Sequence, residues 1–382
     1  MTDKLMRGLL KKYTGIISLA ILLVIFGITS IIMYTNNNRT TQLRTSAAEP
    51  SPTIPAIVAN ATSIPSLIEP SPTATPPSHS PIYLGMWTQD FWEEATFHLR
   101  PDKLTELEKT IGKKAAIAHF YRGWENLGKT SIVDELRLID SHGWRPMLSV
   151  NPFFFDRCPS NGMPLYKAIA SGNCDSFLQE ASRNLKTFGK PVFLRFAWEM
   201  NIDSIEWNVK KTGSTTQDFI GAWRRFHDIA VSEGALNILW VFSPNVEILG
   251  SIPYNELYPG DGYVDWLGLD GYNWGTTKSW SSWQSFSAVF APSYHNILAL
   301  SPSKPIMIAE VNTTDQGGDK ATWYRDMLTR EIPNNFPQIK AVVFYNEDRS
   351  GQEQVNWLIT ISPASLNAFS ESIKNPIYIS SF

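Results

Sequence analysis

Val192-Phe193-Leu194-Arg195-Phe196-Ala197-Trp198-Glu199-Met200-Asn201 and Lys304-Pro305-Ile306-Met307-Ile308-Ala309-Glu310 decide the fold. Each opens as a short, nearly continuous apolar run, the pattern of a strand buried on both faces. Each then delivers a glutamate. With these two, at 191–196 and 305–309, go six further runs of the same kind: 82–87, 115–120, 145–150, 237–242, 264–269 and 340–345. Helix-compatible stretches lie between them at 131–141, 175–188, 217–233 and 320–330, with Thr130, Asp175 and Asp319 expected as N-caps. Eight strands alternating with helices predict an α/β fold, a (β/α)8 TIM barrel over 81–382. A doubly wound open sheet is the runner-up. It normally carries a glycine-rich phosphate loop after its first strand, and Gly85-Met86-Trp87 is no such loop.

Ahead of the barrel, Lys4, Arg7, Lys11 and Lys12 precede an apolar stretch, 15–34, without a charged residue. At about 1.5 Å per residue it spans a hydrocarbon core of roughly 30 Å. A cleaved signal peptide has a shorter apolar region with small residues close behind. Here Thr35-Asn36-Asn37-Asn38-Arg39 follow, and Ala47-Ala48 comes well downstream. The reading is an uncleaved transmembrane signal anchor; a cleaved, secreted form is the alternative. The basic residues leave 1–14 in the cytoplasm and export the rest, which predicts a single-pass protein of the cell membrane with its globular domain outside. Segment 35–80, dense in Pro, Ser and Thr, is too poor in large apolar residues to bury a core and reads as a disordered stalk. Cys158 and Cys174 share one segment of the exported part. A disulfide between them closes a loop worth about 3 kcal/mol; two free buried thiols are the other reading.

Composition excludes several classes. Among 382 residues, 33 basic and 36 acidic side chains give a net charge of −3, so no global field recruits nucleic acid. Two cysteines without a histidine cluster make a poor zinc site, and no metal or organic cofactor is implied. A monomer is expected. The 14 tryptophans suit a carbohydrate ligand, because a pyranose presents an apolar C–H face that stacks on a ring.

In a barrel, chemistry gathers at the C-terminal ends of the strands. Those ends read Trp87; His119 and Tyr121; Asn151; Arg195, Trp198, Glu199 and Asn201; Ser243 and Asn245; Asp270, Tyr272, Asn273 and Trp274; Glu310 and Asn312; Tyr345, Asn346 and Glu347. Carboxylates, amides, a guanidinium and aromatic rings are an inventory for gripping hydroxyls, stacking sugars and moving protons. Hydrolysing a glycosidic bond with retention needs two carboxyls about 5–5.5 Å apart. Glu199 and Glu310 end the fourth and seventh strands, nearly opposite on a ring of eight.

Arg195-Phe196-Ala197-Trp198-Glu199-Met200-Asn201 resembles the strand-four motif of glycoside hydrolase family 26, retaining (β/α)8 enzymes that include β-mannanases and lichenases. The likeness runs through Trp207, Asp218–Asp228, Trp240–Asn245, Asp265–Asn273 and Lys304–Glu310. The resemblance implies that Glu199 is the acid/base, that Glu310 is the nucleophile, and that Tyr272 hydrogen-bonds it. It implies sugar-stacking for Trp207 and Trp274, and matches Arg195 to an arginine whose positive potential keeps a neighbouring carboxylate charged. Beside the resemblance, Asn201, Trp198 and, at the second strand, His119 are read as further sugar-binding residues. The pattern departs where family members carry His before the acid/base: this chain has Trp198, followed by Ile202 in place of the common Gly. The expected partner is a polysaccharide, β-mannan or mixed-linkage β-glucan ahead of xylan, cut by an endo-β-glycanase. A surface glycan-binding protein with impaired turnover is the alternative.

Overall fold

The apolar runs close into a ring. The computed structural model describes residues 80–93 and 98–382. Its eight parallel barrel strands are β1 (Ile82–Thr88), β2 (Ile117–Gly123), β3 (Arg145–Asn151), β4 (Val192–Phe196), β5 (Ile238–Phe242), β6 (Trp266–Asn273), β7 (Ile306–Thr313) and β8 (Ile339–Asn346). They pair in chain order, and β8 returns to β1 through a register running from Tyr83↔Ala341 to Thr88↔Asn346. Each is followed by a helix: α1 (Pro101–Ile111), α2 (Ser131–Ser141), α3 (Asp175–Phe188), α4 (Thr216–Ser232), α5 (Tyr254–Leu257), α6 (Phe286–Leu300), α7 (Lys320–Asp326) and α8 (Pro363–Ile373). This is the predicted (β/α)8 barrel.

Alternation along each strand builds two apolar layers. In β4, Val192, Leu194 and Phe196 join the shell between strands and helices, whereas Phe193 joins an inner plug with Ile117, Met147, Val241, Met307 and Val343. The plug is crowded. A Cβ on Gly85 in β1 would lie 2.7 Å from Val343 Cγ2, so only glycine fits there. At the N-terminal mouth, Tyr378–Ile379 adds to β1, and the terminal Phe382 ring stacks on Tyr83 at 3.8 Å beneath the Arg145 guanidinium. Phe382 thus packs against the N-terminal mouth of the barrel, opposite the C-terminal mouth where chemistry gathers.

Several boundaries differ from the sequence reading. β6 and β7 run four residues past their expected ends, because the ladder continues through Asp270↔Glu310, Tyr272↔Asn312 and Asn273↔Thr313. Polar side chains there signal a loop by composition, yet they lie in strand. Asp175 is not an N-cap: Cys174 holds that position, and the Asp175 carboxylate pairs with Arg225 on α4. Thr130 occupies the cap position of α2 without a side-chain cap bond, whereas Asp319 caps α7 by accepting from Ala321 and Thr322 N–H. The expected helix 320–330 is α7 continued by a π-turn, Met327–Glu331. The basic segment 1–14, the apolar span 15–34 and the linker up to residue 79 lie outside the described residues. Among the described residues, no helix is long and apolar enough to cross a membrane.

Cys158 and Cys174 form a disulfide that ties the loop after β3 to the start of α3, both residues fully buried. Replacing both by serine should lower unfolding free energy by about 3 kcal/mol, read as a fall in denaturation midpoint. An unchanged midpoint would show that packing alone holds this loop.

Candidate active site

The site is assembled around one buried cation. Arg195, on β4, points into the barrel and is 0% exposed. Its Nη1 donates to Glu310 Oε1 (2.8 Å), to Ser149 Oγ (3.0 Å) and to His119 Nε2 (3.2 Å), and its Nη2 donates to Asp270. Burial opposes the guanidinium charge, but Asp270 and Glu310 more than offset it, so its pKa is raised. Nε2 of His119 accepts from Arg195, which leaves the ring proton on Nδ1. Burial and the Arg195 charge push the His119 pKa well down, so the ring is neutral. Arg195 and His119 therefore lie beneath the cleft floor, positioning other groups rather than presenting donors at the surface.

Glu310 is only 5% exposed, and both its oxygens accept: Oε1 from Arg195, and Oε2 from the Tyr272 hydroxyl at 2.7 Å. Its direction comes from a β-bulge. Ile306, Ile308 and Val311 belong to the outer shell and Met307 and Ala309 to the inner plug, while β8 matches Val342 to Ile308 and Phe344 to Val311. Ala309 and Glu310 thus oppose the single residue Val343. The extra residue turns Glu310 toward the pore, where strict alternation would have placed Val311.

Glu199 is held differently. After β4, Ala197 and Glu199 both take positive φ, 52° and 55°, a conformation costing about 1–3 kcal/mol each in a non-glycine residue. The neighbouring strands enforce it: Ala197 N–H donates to Val150 O at 2.9 Å and Glu199 N–H to Ser243 O at 2.8 Å. The carboxyl receives one neutral donor, Asn245 Nδ2, at 3.0 Å. Asn245 is in turn clamped by Asn201, whose amide accepts from its N–H and donates to its C=O, each at 2.9 Å. Fully buried, Asn201 positions Asn245 and has no side-chain surface left for a sugar. Desolvation first, and the charge of Glu310 second, push the Glu199 carboxyl up to about 8. One carboxylate is thus gripped by a cation and a phenol, and the other keeps its proton near neutrality.

Aromatic rings line the mouth. Trp198 packs between Tyr121 (5.2 Å) and Trp207 (4.3 Å), and the Trp207 N–H donates to Trp198 O at 2.6 Å. On the opposite side Tyr272 meets Trp357 (4.9 Å), which meets Trp274 (5.0 Å). Trp198, Trp207, Tyr272 and Trp274 are all partly exposed, and Trp207 and Trp274 are the two that the family resemblance marks for sugar stacking. The sequence reading places Trp87, Tyr121 and Tyr345 at strand ends without giving any of them a role, and it misses Trp357 altogether. Trp357 comes from the loop after β8, which no periodicity marks. The other rim amides turn inward: Asn312 donates to Tyr345 O and Trp357 O, both at 2.7 Å, and Asn346 accepts from Ile359 N–H at 2.7 Å. They fix loops and do not grip hydroxyls. Among the described residues no group of side chains is suited to hold a metal ion.

Two outcomes follow from this electrostatics. Arg195→Met strands Asp270 and Glu310 without their cation and should cost about 3–5 kcal/mol of unfolding free energy, measured by denaturant titration. A cost below 1 kcal/mol would show that water replaces the guanidinium. For Glu199, the folded carboxyl keeps a proton that the unfolded chain loses from about pH 4.5 upward, so stability falls as pH rises from there to about 8. Glu199→Gln escapes that loss. Its melting temperature should gain on the parent as pH rises through this window, and the two should converge below it; a pH-independent offset would mean an ordinary glutamate.

Comparison with known proteins agrees with this geometry. Residues 166–328 match the Glycosyl hydrolase family 26 model, a span that includes Glu199, Asp270, Tyr272 and Glu310. Endoglucanase H of Acetivibrio thermocellus is 36% identical over 209 residues, 54% of this chain and 22% of that protein. A β-1,3-xylanase of a Vibrio species is 25% identical over 142 residues, 36% of this chain and 28% of that protein. The chain therefore matches less than a third of the length of these two relatives. In fold, it superposes on a Cellulomonas fimi endo-β-1,4-mannanase double mutant with a TM-score of 0.59 at 16% identity, covering 78% of this chain and 72% of that one. The sequence match over residues 166–328 and the barrel together support glycosyl hydrolase family 26 as the family of this chain.

Proposed function

We propose that this chain is an endo-acting β-glycanase that cleaves with retention, using Glu310 as nucleophile and Glu199 as acid/base. The observation that carries the reading is the unequal treatment of two glutamates on β4 and β7. Glu310 is fixed by Arg195 and Tyr272 with both oxygens occupied, whereas Glu199 has a single amide donor and is pushed up to about 8. A carboxylate fixed on both oxygens suits attack on carbon, and a carboxyl that keeps its proton suits acid–base work. In the first step Glu199 gives its proton to the glycosidic oxygen as a Glu310 oxygen bonds to the anomeric carbon and the C–O bond to the leaving chain breaks. In the second, Glu199, now a carboxylate, takes a proton from water. That water oxygen displaces Glu310 from the anomeric carbon, giving net retention. Asp270 and Arg195 touch no sugar in this scheme; they hold Glu310 in place.

For the substrate, a β-glucan containing β-1,4 bonds leads, supported by the 36% identity to a protein named endoglucanase; β-mannan follows. Trp198 favours a substrate other than ordinary mannan. An indole offers one donor and no acceptor at the position before the acid/base, packed between Tyr121 and Trp207. We also infer, from the charge-free span 15–34 and its basic flank, that the domain works outside the cell while held to the membrane.

Reducing-end release from mixed-linkage β-glucan, β-1,4-glucan, β-mannan and xylan tests the reading, with product anomers followed by NMR. Release with retained configuration is expected from one of the glucans, and Glu310→Ala should lower it by roughly 10⁴-fold. Inverted product would overturn the assigned roles. Binding without release, equal in parent and variant, would make the chain a glycan-binding protein.

A further inference from the structure

The loop after β6 carries an indole that the catalytic machinery leaves unused. Trp280 is 70% exposed, whereas Trp274, at the root of the same loop, is half-buried beside Trp357. Exposing so much apolar ring costs free energy, and a mobile loop would fold it away. This loop is tied down. Ser281 Oγ donates to Gly275 O at 2.7 Å, Thr277 Oγ1 to Trp274 O at 2.6 Å, and Thr276 N–H to Gln316 O at 3.1 Å across to the loop after β7. Lys278 Nζ lies 5.5 Å over the Trp274 ring and donates to Glu353 O in the loop after β8. Gly275 takes a positive φ of 52°, and a Cβ there would fall 1.9 Å from Gln316 O, so the turn admits only glycine. The ring is therefore presented, not merely left out.

Its position gives the presentation a purpose. Trp280 lies 5.7 Å from Trp274, and Trp274 lies 6.2 Å from Tyr272, whose hydroxyl reaches Glu310; Trp357, fully buried, backs Trp274 and Tyr272 from below. Successive rings thus lead from the carboxylate outward to an exposed indole. Flat apolar faces on a fixed scaffold suit the C–H faces of consecutive sugars in an extended glycan, and no charged group is needed.

We propose that Trp280 is a distal sugar platform, a specificity-determining residue that lengthens the cleft on the β6 side and selects polymers over short oligosaccharides. The proposal rests on the glycanase reading for its substrate class. It takes the chemistry of a β-linked glucan chain, with the indole stacking on a sugar remote from the bond being cut.

The test compares the full chain, Trp280→Ala and Trp280→Phe on mixed-linkage β-glucan oligosaccharides from disaccharide to hexasaccharide length and on the polymer. Trp280→Ala should raise KM for the hexasaccharide and polymer about tenfold, leave kcat/KM for the shortest cleaved substrate within twofold, and be largely rescued by Trp280→Phe. Equal losses at every length would show a structural role for Trp280, and no loss at any length would remove it from the cleft; either overturns the proposal. Binding titrations of the same sugars to Glu310→Ala, with and without Trp280→Ala, read the platform without turnover. A chain that binds long glucans about tenfold better with the indole than without it, yet never cleaves them, would end the glycanase reading and keep the platform. Equal affinity would end the platform alone.

Discussion

A guanidinium sealed from water inside a barrel has to be paid for by the groups around it, and here that requirement organises the site. Arg195 draws β2, β3, β6 and β7 together through His119, Ser149, Asp270 and Glu310. Two carboxyls, Asp270 and Glu310, surround one cation. The third carboxyl, Glu199, holds its proton more tightly because it is buried first, and because the Glu310 charge is near second. Glu310 thus takes part in both effects: Arg195 and Tyr272 fix it, and its charge adds to the burial that raises Glu199. Asp270 belongs to the cluster without facing the cleft: burial pushes its carboxyl up, and Arg195 against it pulls the other way.

Around that centre the polar residues divide by task. Asn201 clamps Asn245, which alone reaches Glu199. Asn273, Asn312 and Asn346 spend their amides on backbone groups and neighbouring hydroxyls, so the loops after β6, β7 and β8 are held by buried side chains. Loops held this way can support exposed rings. The mouth of the barrel is accordingly rich in indoles and phenols.

Much of this was legible in the chain. The apolar runs gave all eight strands, because a strand buried on both faces cannot hide its composition. Helices 131–141 and 175–188 match α2 and α3 to the residue, since amphipathic periodicity survives any tertiary setting. The ends of β6 and β7 were misplaced because polar residues inside a barrel look like loop residues until their partners are known. The cap assigned to Asp175 failed because a distant arginine, Arg225, takes that carboxylate. The stacking of Phe382 on Tyr83 had no sequence signal at all, for a single phenylalanine is apolar whether it packs or not.

The sequence by itself determined the barrel and brought two glutamates to the ends of opposite strands, since both depend on the order of apolar runs. Only the tertiary structure decided what those glutamates are. The bulge at Ala309–Glu310 turns Glu310 inward, and it arises from unequal pairing with β8. The strained turn that carries Glu199 persists because β3 and β5 grip it from both sides. Arg195, Asn201 and His119 read as cleft residues in one dimension and proved to be the support beneath it. Burial and the distance between charges are properties of three-dimensional neighbours, and no spacing along a chain encodes them.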